Sequence, residues 1–229
     1  SQQGGNYMSW SRVDNNQPWS INWALGNQLF EHSVGKNGQW QSTDVKQENG
    51  GQIIGFKANS DIPEGSLLLS GAKIITMKGD QVIAKGDILV TGNRIIAVGE
   101  SGTLDVPSNA KQVNLTGKTI IPGLVDVHWH GGQGSYQIQP QQNWMNLASL
   151  AFGVTTIHDP SNNTQEIFAS AELTKAGKQV APRTFSTGRI LYGAESYQTA
   201  VVNDLNDATE HLQRLKQQGA FSVKSYNQP

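Results

Sequence analysis

Short apolar runs alternate with turn-forming residues over the first sixty residues of the chain, a pattern typical of short strands. The runs 22–25 and 28–30 are separated by Gly26 and Asn27, which favour a tight turn, so we expect a hairpin here. Four of the six tryptophans lie in this segment: Trp10, Trp19, Trp23 and Trp40. Because no stretch repeats within the chain, residues 1–60 are predicted to form a small antiparallel meander or part of one propeller blade, not a full propeller.

Runs rich in β-branched residues and punctuated by glycine follow over residues 61–118. The expected strands are 67–69, 74–75, 82–84, 87–90 and 94–98. Gly92 and Asn93 lie between the last two runs and predict a turn. Strands this short, with turn residues between them, predict a small β-sandwich or barrel.

The pattern changes to strand–helix alternation over residues 119–229. The expected strands are 124–128, 154–157, 183–186 and 221–224, and the expected helices are 142–152, 164–176 with Thr164 as cap, and a third beginning at Asn203 or Asn206. Glycines follow the helices, at Gly153, Gly177 and Gly219. The alternation predicts a parallel sheet, either doubly wound or the first half of a (β/α)8 barrel, with ligands at the carboxyl ends of the strands. The fold class expected for the whole chain is mixed β and α/β.

Charge and composition exclude several classes of protein. Lys and Arg number 17 against 18 Asp and Glu, so we expect neither a nucleic-acid partner nor a polybasic membrane surface. No apolar run approaches the roughly 18 residues needed to span a bilayer, and no signal segment is expected at Ser1. Cysteine is absent, which excludes disulfides, thiolate nucleophiles and cysteine–zinc sites and is compatible with an oxidising compartment.

The residues with the clearest chemical role lie at the end of the first predicted parallel strand. His128 and His130 are two positions apart, and residues two apart on a strand point to the same face. Neutral imidazole is the commonest metal ligand, and two imidazoles on one face can hold a zinc-like ion. The competing interpretation is a coincidence of spacing. The position at a strand end, before Gly131 and Gly132, favours a metal site.

The segment that contains these histidines resembles the amidohydrolase superfamily. Residues 117–130 are similar to the entry into that family's catalytic barrel, residues 72–99 to its N-terminal β-sandwich, and residues 152–156 to its second barrel strand. The resemblance covers residues 65–229 and implies metal-dependent hydrolysis of C–N bonds in amides, peptides or cyclic amides. In this reaction one or two divalent metal ions, foremost Zn, activate the attacking water.

The resemblance also implies roles for single residues. In many members of the family a lysine is carboxylated by CO2 and bridges the metal ions. Lys224 stands at the place of that lysine, and His128 and His130 stand at the places of the family's first-strand histidine ligands. His158 and Tyr226 are candidates for substrate binding. The alternative for His158 is a loop anchor in which Asp159 binds local backbone.

The family's general base and its later histidine ligands are expected beyond Pro229, so no catalytic base is assigned within the chain. We therefore expect an N-terminal part that is inactive alone and that pairs with a second polypeptide carrying the rest of the barrel. Residues before 60 resemble the last blade of a TolB-like propeller, which implies a periplasmic or secreted location.

Two other functions compete with the metal-dependent hydrolase. Residues 130–134 superficially resemble the oxyanion loop of lipases, but the Gly-x-Ser-x-Gly elbow of that class is missing from the sequence. The second alternative is a non-catalytic, propeller-type binding module with a structural barrel. Metal binding separates them, because a binding scaffold has no need of His128, His130 and Lys224 on one rim.

Overall fold

A computed structural model describes residues 6–12, 14–25, 27–35, 51–136, 138–193 and 202–226. These residues form a mixed, β-rich structure with three helices. None of the described helices is both long and apolar enough to cross a membrane. Trp40, which the sequence pattern assigns to the N-terminal strands, lies outside the described residues.

The N-terminal segment forms an antiparallel sheet. Its strands, in order across the sheet, are β1 (Asn6–Ser11), β2 (Trp19–Leu25), β3 (Gln28–Val34) and β4 (Gln52–Ile53). Leu25 pairs with Gln28, which confirms the hairpin predicted around Asn27. Trp23 stacks on Phe30 of the paired strand with 5.5 Å between ring centroids, so a cross-strand aromatic pair fixes the register. Whether these strands belong to a propeller stays a prediction.

The second sheet has five strands. They are β5 (Ser66–Ile75), β6 (Val82–Thr91), β7 (Arg94–Glu100), β8 (Lys111–Asn114) and β9 (Thr119–Ile120). The order is β7-β6-β5-β8, and β9 also pairs with β5. The separate runs predicted on either side of Gly71 form one strand, and those predicted at 82–84 and 87–90 form another. The turn at Gly92 is confirmed by the pairing of Thr91 with Arg94.

The core of this sheet is made by the middle parts of its two longest strands. Ala72 and Ile74 of β5 pack with Ile83 and Ile88 of β6, all less than a tenth exposed. That this sheet is part of a small β-sandwich or barrel stays a prediction. The domain boundary predicted after residue 118 precedes β9, which hydrogen-bonds to β5.

The third sheet is parallel and follows the predicted strand–helix alternation. It consists of β10 (Leu124–Asp126), β11 (Val154–Asp159) and β12 (Arg183–Ser186), connected by α1 (Trp144–Ala151) and α2 (Thr164–Lys175). Gly153 and Gly177 follow the helices with φ of 80° and 75°, which confirms both as helix stops. The N-cap of α2 is Asn163, whose side chain accepts from the backbone N–H of Gln165 and Glu166, and not Thr164 as predicted.

Three further sequence predictions in this part of the chain are wrong in detail. The first parallel strand ends at Asp126 instead of 128, because the Asp126 carboxylate accepts a hydrogen bond from the His128 N–H and starts a turn. Helix α3 (Leu205–Gln218) is capped by Asp204 instead of Asn203 or Asn206, since the Asp204 side chain accepts from the Asp207 N–H.

The third wrong prediction concerns the fourth strand. Residues 221–224 are not a strand; β13 (Leu191–Tyr192) pairs in parallel with β14 (Ser225–Tyr226) in a two-stranded sheet of its own. The Phe221 ring packs edge-on against Phe185 with a centroid distance of 5.5 Å. Side-chain packing thus holds this segment beside β12 where a hydrogen-bonded ladder was expected.

Candidate metal centre

The turn after β10 brings the two histidines of the predicted metal site side by side. Their ring centroids are 5.0 Å apart and the ring planes cross at 73°. The His128 N–H donates to Asp126 Oδ1 at 3.0 Å, so an Asp-initiated turn sets this geometry. Both histidines are exposed. The rings therefore meet as the sequence predicts, although strand alternation is not the cause.

His130 is fixed from behind by a buried carboxylate. Its Nδ1 lies 3.2 Å from Oδ1 of Asp159, the last residue of β11. The Asp159 side chain is 0% exposed, whereas the His130 side chain is 49% exposed. In the tautomer that carries its proton on Nδ1, imidazole keeps a lone pair on Nε2, at the opposite edge of the ring.

Asp159 also binds the loop that follows it. Its Oδ1 accepts from the Ser161 N–H at 2.9 Å, and its Oδ2 accepts from Asn162 Nδ2. The same Asn162 amide donates to the carbonyl of Gly131 at 2.8 Å. The loop-anchoring role considered for Asp159 is thereby confirmed, and it operates together with the contact to His130.

Trp129 joins the histidine turn to its neighbours. Its backbone N–H donates to the His158 carbonyl at 3.1 Å, and its indole Nε1–H donates to Ser149 Oγ of α1 at 3.2 Å. A Cβ on Gly131 would lie 2.2 Å from Trp129 Cη2, so only glycine fits under the indole ring. The backbone between the two histidines is consequently held on both sides.

Buried amides fasten the loop after the histidines to the helices. Gln133 is 0% exposed and exchanges two hydrogen bonds with Asn146 of α1, at 3.2 and 3.3 Å. Ser170 of α2 donates to Gln133 Oε1 at 2.7 Å. The Gly132 carbonyl accepts from Asn143 Nδ2 at 2.8 Å. Buried amides that are hydrogen-bonded to one another in this way rigidify a loop.

His158 faces away from Asp159, because neighbouring residues of a strand point to opposite faces. Its Nε2 lies 2.9 Å from Ser222 Oγ, and its ring meets Phe221 edge-on with centroids 5.8 Å apart. The hydroxyl of Ser222 is a partner that the sequence did not predict. His158 therefore borders the segment that leads to β14.

Lys224 and Tyr226 lie together at β14. The Lys224 Nζ is 5.2 Å from the centroid of the Tyr226 ring, a cation–π contact, and the Tyr226 ring stacks on Tyr192 at 5.7 Å. The Lys224 carbonyl accepts from the Leu191 N–H at 2.9 Å. In the described part of the chain, no hydrogen bond or ring contact joins Lys224 to His128 or His130.

The donors brought together fit part of a zinc site. Two imidazoles with one Nδ1 held by a carboxylate have the ligand chemistry and the outer support that zinc sites use. Within the described ranges, no group of three or more His, Asp or Glu side chains is placed to hold a metal ion. The residues present would therefore supply two ligands of such a site, and a complete site needs more.

His211, the remaining histidine of the α/β part, lies on α3, away from the histidine turn. It is partly buried and its Nδ1 is hydrogen-bonded to the Arg214 side chain. Burial and the Arg214 guanidinium lower the pKa of His211. Its neutral form is thereby favoured in a structural contact.

Two features of the site were not predicted as part of it. Asp159 ends β11 beside β10, and the carboxyl ends of parallel strands converge, so its pairing with His130 could have been expected from topology. Asn162 is a residue type typical of turns, and no sequence signal points to its contact with Gly131.

Comparison with solved structures assigns this arrangement to a class of fold. The chain is similar to amidohydrolase-type structures, all below 25% identical, which establishes likeness of fold. A proposed prolidase from Bifidobacterium longum has 23% identity and a TM-score of 0.57 over 71% of this chain and 40% of its own. A Xaa-Pro dipeptidase has 21% identity and a TM-score of 0.55 over 69% and 46%. An amidohydrolase has 19% identity and a TM-score of 0.55 over 72% and 49%.

The chain thus spans less than half the length of these three structures. No family model matches it, and no curated protein matches it. The amidohydrolase-type fold predicted from the His128 segment is borne out at the level of the fold.

Proposed function

We propose that this chain contributes to a metal-dependent amidohydrolase that cleaves C–N bonds in amides, peptides or cyclic amides. The observation that carries the proposal is that the rings of His128 and His130 lie together at the carboxyl edge of a parallel sheet, with 5.0 Å between their centroids. The buried Asp159 behind His130 and the fold shared with amidohydrolase-type structures support it.

His128 and His130 are the residues that would hold a divalent ion, foremost Zn. The complete site would contain one or two such ions. A divalent ion bound at such a site acidifies water and polarises a scissile carbonyl. The chain's own part is positional: Asp159 orients His130, and Trp129 holds the backbone between the rings against α1 and β11.

The metal proposal is tested on the intact assembly reconstituted with zinc, in which the ligands that complete the site are present. We expect bound zinc in the wild type and its loss in the double variant His128→Ala, His130→Ala, measured by elemental analysis after gel filtration. His211→Asn is the matched control, because His211 lies on α3 in contact with Arg214. Equal zinc content in the double variant and the wild type would remove the two histidines from the proposal.

Lys224 is proposed as a further ligand in carboxylated form. Plain ammonium cannot bind a cation, whereas a carbamate offers carboxylate-like oxygens. The support is its position in the resemblance and its fixed backbone, whose carbonyl accepts from Leu191. We expect a mass loss of CO2 on acidification of the active assembly, loss of activity in Lys224→Ala, and partial rescue by short carboxylic acids. Full activity in Lys224→Ala would exclude the residue.

His158 and Tyr226 are proposed to contact substrate. His158 lies among the rings of Phe221 and Phe185, and the Tyr226 side chain is partly accessible beside Tyr192. An apolar wall with a hydroxyl and an imidazole suits the side chain of a small amide or peptide. The neighbours named as prolidase and Xaa-Pro dipeptidase make Xaa-Pro dipeptides the first substrates to assay, with N-acyl amides and cyclic imides beside them.

A second polypeptide is proposed to complete the barrel and to bring the remaining ligands and the general base. The support is the exposed apolar surface on β10 and just after it, at Leu124, Val125 and Val127. A periplasmic or secreted location is proposed with it, on the resemblance of the N-terminal strands to a TolB-like blade. Fractionation of the source cells against periplasmic and cytoplasmic markers tests the location.

A further inference from the structure

Asp159, Asn162 and Gly131 form a closed hydrogen-bonded ring with His130. The His130 ring contacts Asp159 Oδ1, Asp159 Oδ2 accepts from Asn162 Nδ2, and that amide donates to the Gly131 carbonyl. Gly131 is joined by its peptide bond to His130, which completes the ring. The side chain of His130 and the backbone next to it are therefore tied to the same buried carboxylate.

We propose that Asp159 and Asn162 are positioning residues that hold His130 in the tautomer with its proton on Nδ1 and so leave Nε2 as its metal-binding nitrogen. The inference deepens the proposed metal site and rests on it for the role of Nε2. The tautomer itself is a property of the metal-free chain and can be measured separately.

The donor count of Asn162 supports this assignment. Its Nδ2 carries two protons, and the two acceptors it meets are Asp159 Oδ2 and the Gly131 carbonyl. Both protons are used, so the amide orientation is determined. Its Oδ1 accepts from the Asn163 N–H at 2.7 Å, which agrees with the same orientation.

The position of Asp159 is fixed independently of His130. Its backbone carbonyl accepts from Ser186 Oγ at 2.7 Å and from the Thr187 N–H at 3.2 Å, at the end of β12. Its Oδ1 also accepts from the Ser161 N–H. A carboxylate held this firmly can orient a half-exposed imidazole. The reverse would require the exposed imidazole to order the buried carboxylate.

A purely structural role for Asp159 makes a different prediction. If the carboxylate served only to anchor the loop 159–162, the His130 ring would be free to adopt either tautomer, and zinc affinity would not depend on Asn162. The two interpretations therefore separate in the ring nitrogens of His130 and in metal affinity.

The test uses the full 229-residue chain labelled with 15N-histidine. Long-range 1H–15N spectra at mildly alkaline pH, without metal, report which nitrogen of each ring carries the proton, and His130→Gln assigns the signal. We expect the Nδ1–H form in the wild type and a shift toward the Nε2–H form in Asp159→Asn and Asn162→Ala. Asn163→Ala is the control, because Asn163 caps α2 and does not contact His130.

Zinc affinity, measured by competition with a chromophoric chelator, is the second readout. A decrease of about 10–100-fold is expected in Asp159→Asn and Asn162→Ala, with little change in Asn163→Ala. Asn162→Ala keeps the test decisive if Asp159→Asn fails to fold.

The outcomes distinguish this inference from the proposed function. An Nε2–H tautomer in the wild type, or unchanged spectra in both variants, would overturn the positioning role. An Nδ1–H tautomer that depends on Asp159 in a chain that binds no zinc would support the positioning role and overturn the metal proposal.

Discussion

Asp87 is a buried carboxylate whose charge is met by three donors from neighbouring turns. Oδ1 accepts from the Gly71 N–H at 2.9 Å and from Ser101 Oγ at 2.8 Å, and Oδ2 accepts from the Gly102 N–H at 2.8 Å. Burial raises the pKa of Asp87, but the hydrogen bonds from Gly102, Gly71 and Ser101 outweigh it, and the net pKa is lowered. The charged form thus ties β6 to the bend of β5 and to the turn after β7.

We expect Asp87→Asn to lower the free energy of unfolding by about 1–3 kcal/mol at pH 7, because the three donors would face a neutral amide whose NH2 group opposes at least one of them. Since the folded pKa lies below the unfolded value, the stabilisation is complete above the unfolded pKa and is lost as the pH falls through the folded one. Urea unfolding at pH 7 and between pH 4 and pH 2.5 measures it.

Asp80→Asn, at an exposed turn position, is the control for Asp87. A difference between wild type and Asp87→Asn that stayed constant down to pH 2.5 would contradict a charge-dependent role.

The start of α3 shows how an element is selected among neighbouring polar residues. Asp204 accepts from the Asp207 N–H at 2.9 Å, and Asp207 in turn accepts from the backbone and side chain of Asn203, which lowers the pKa of Asp207. The Asn206 side chain instead donates to the Glu210 carboxylate, one turn along the helix, at 3.2 Å. The carboxylates of Asp204 and Asp207 therefore accept from two backbone N–H groups at the helix start, those of Asp207 and Asn203.

We expect Asp204→Ala to reduce the free energy of unfolding by about 1 kcal/mol, the usual loss for an N-cap. Asn206→Ala, one of the two caps predicted from sequence, should change it by less than about 0.5 kcal/mol. Urea unfolding followed by far-UV circular dichroism compares them, and an equal loss in both variants would show that Asp204 is not the cap.

Elements whose causes are local could be predicted from the sequence. The Gly92 turn and the stops at Gly153 and Gly177 each need a left-handed backbone that glycine adopts at little cost, and all three were found. The fourth strand could not be predicted, because the position of Phe221 depends on rings of β11 and β12 that are distant in sequence. The same holds for the site: the adjacency of His128 and His130 was predicted from strand spacing but arises from the local turn at Asp126, whereas the support by Asp159 follows from topology.

At the scale of the whole molecule, the parallel sheet leaves apolar surface uncovered. Leu124, Val125 and Val127 are each more than half exposed, and Phe221 is 69% exposed. In the described part of the chain β10 has a partner on one side only, β11. Unpaired strand edges and apolar patches of this kind promote association.

We therefore expect the 229-residue chain, expressed alone, to self-associate, to bind zinc weakly and to lack amidase activity with added zinc. Light scattering gives the oligomeric state, and the substrate panel above gives the activity. Addition of the proposed second polypeptide should produce a discrete complex that binds zinc more tightly. A monodisperse monomer that unfolds cooperatively and turns over substrate would contradict both the completion of the barrel and the proposed partner.

The pairing register between β5 and its parallel partners β8 and β9 changes at the Gly71 bend. Leu67 of β5 pairs with Lys111, whereas Lys73, beyond the bend, pairs with Thr119, so the partner edge has gained two residues. Ile120 pairs with Ile74 and packs on the core that Ile74 helps to form. A loop 115–118 that was one residue longer or shorter would shift this pairing and turn Ile120 away from the core. The core of the five-stranded sheet thus fixes the length of the loop through which the chain passes to its parallel sheet.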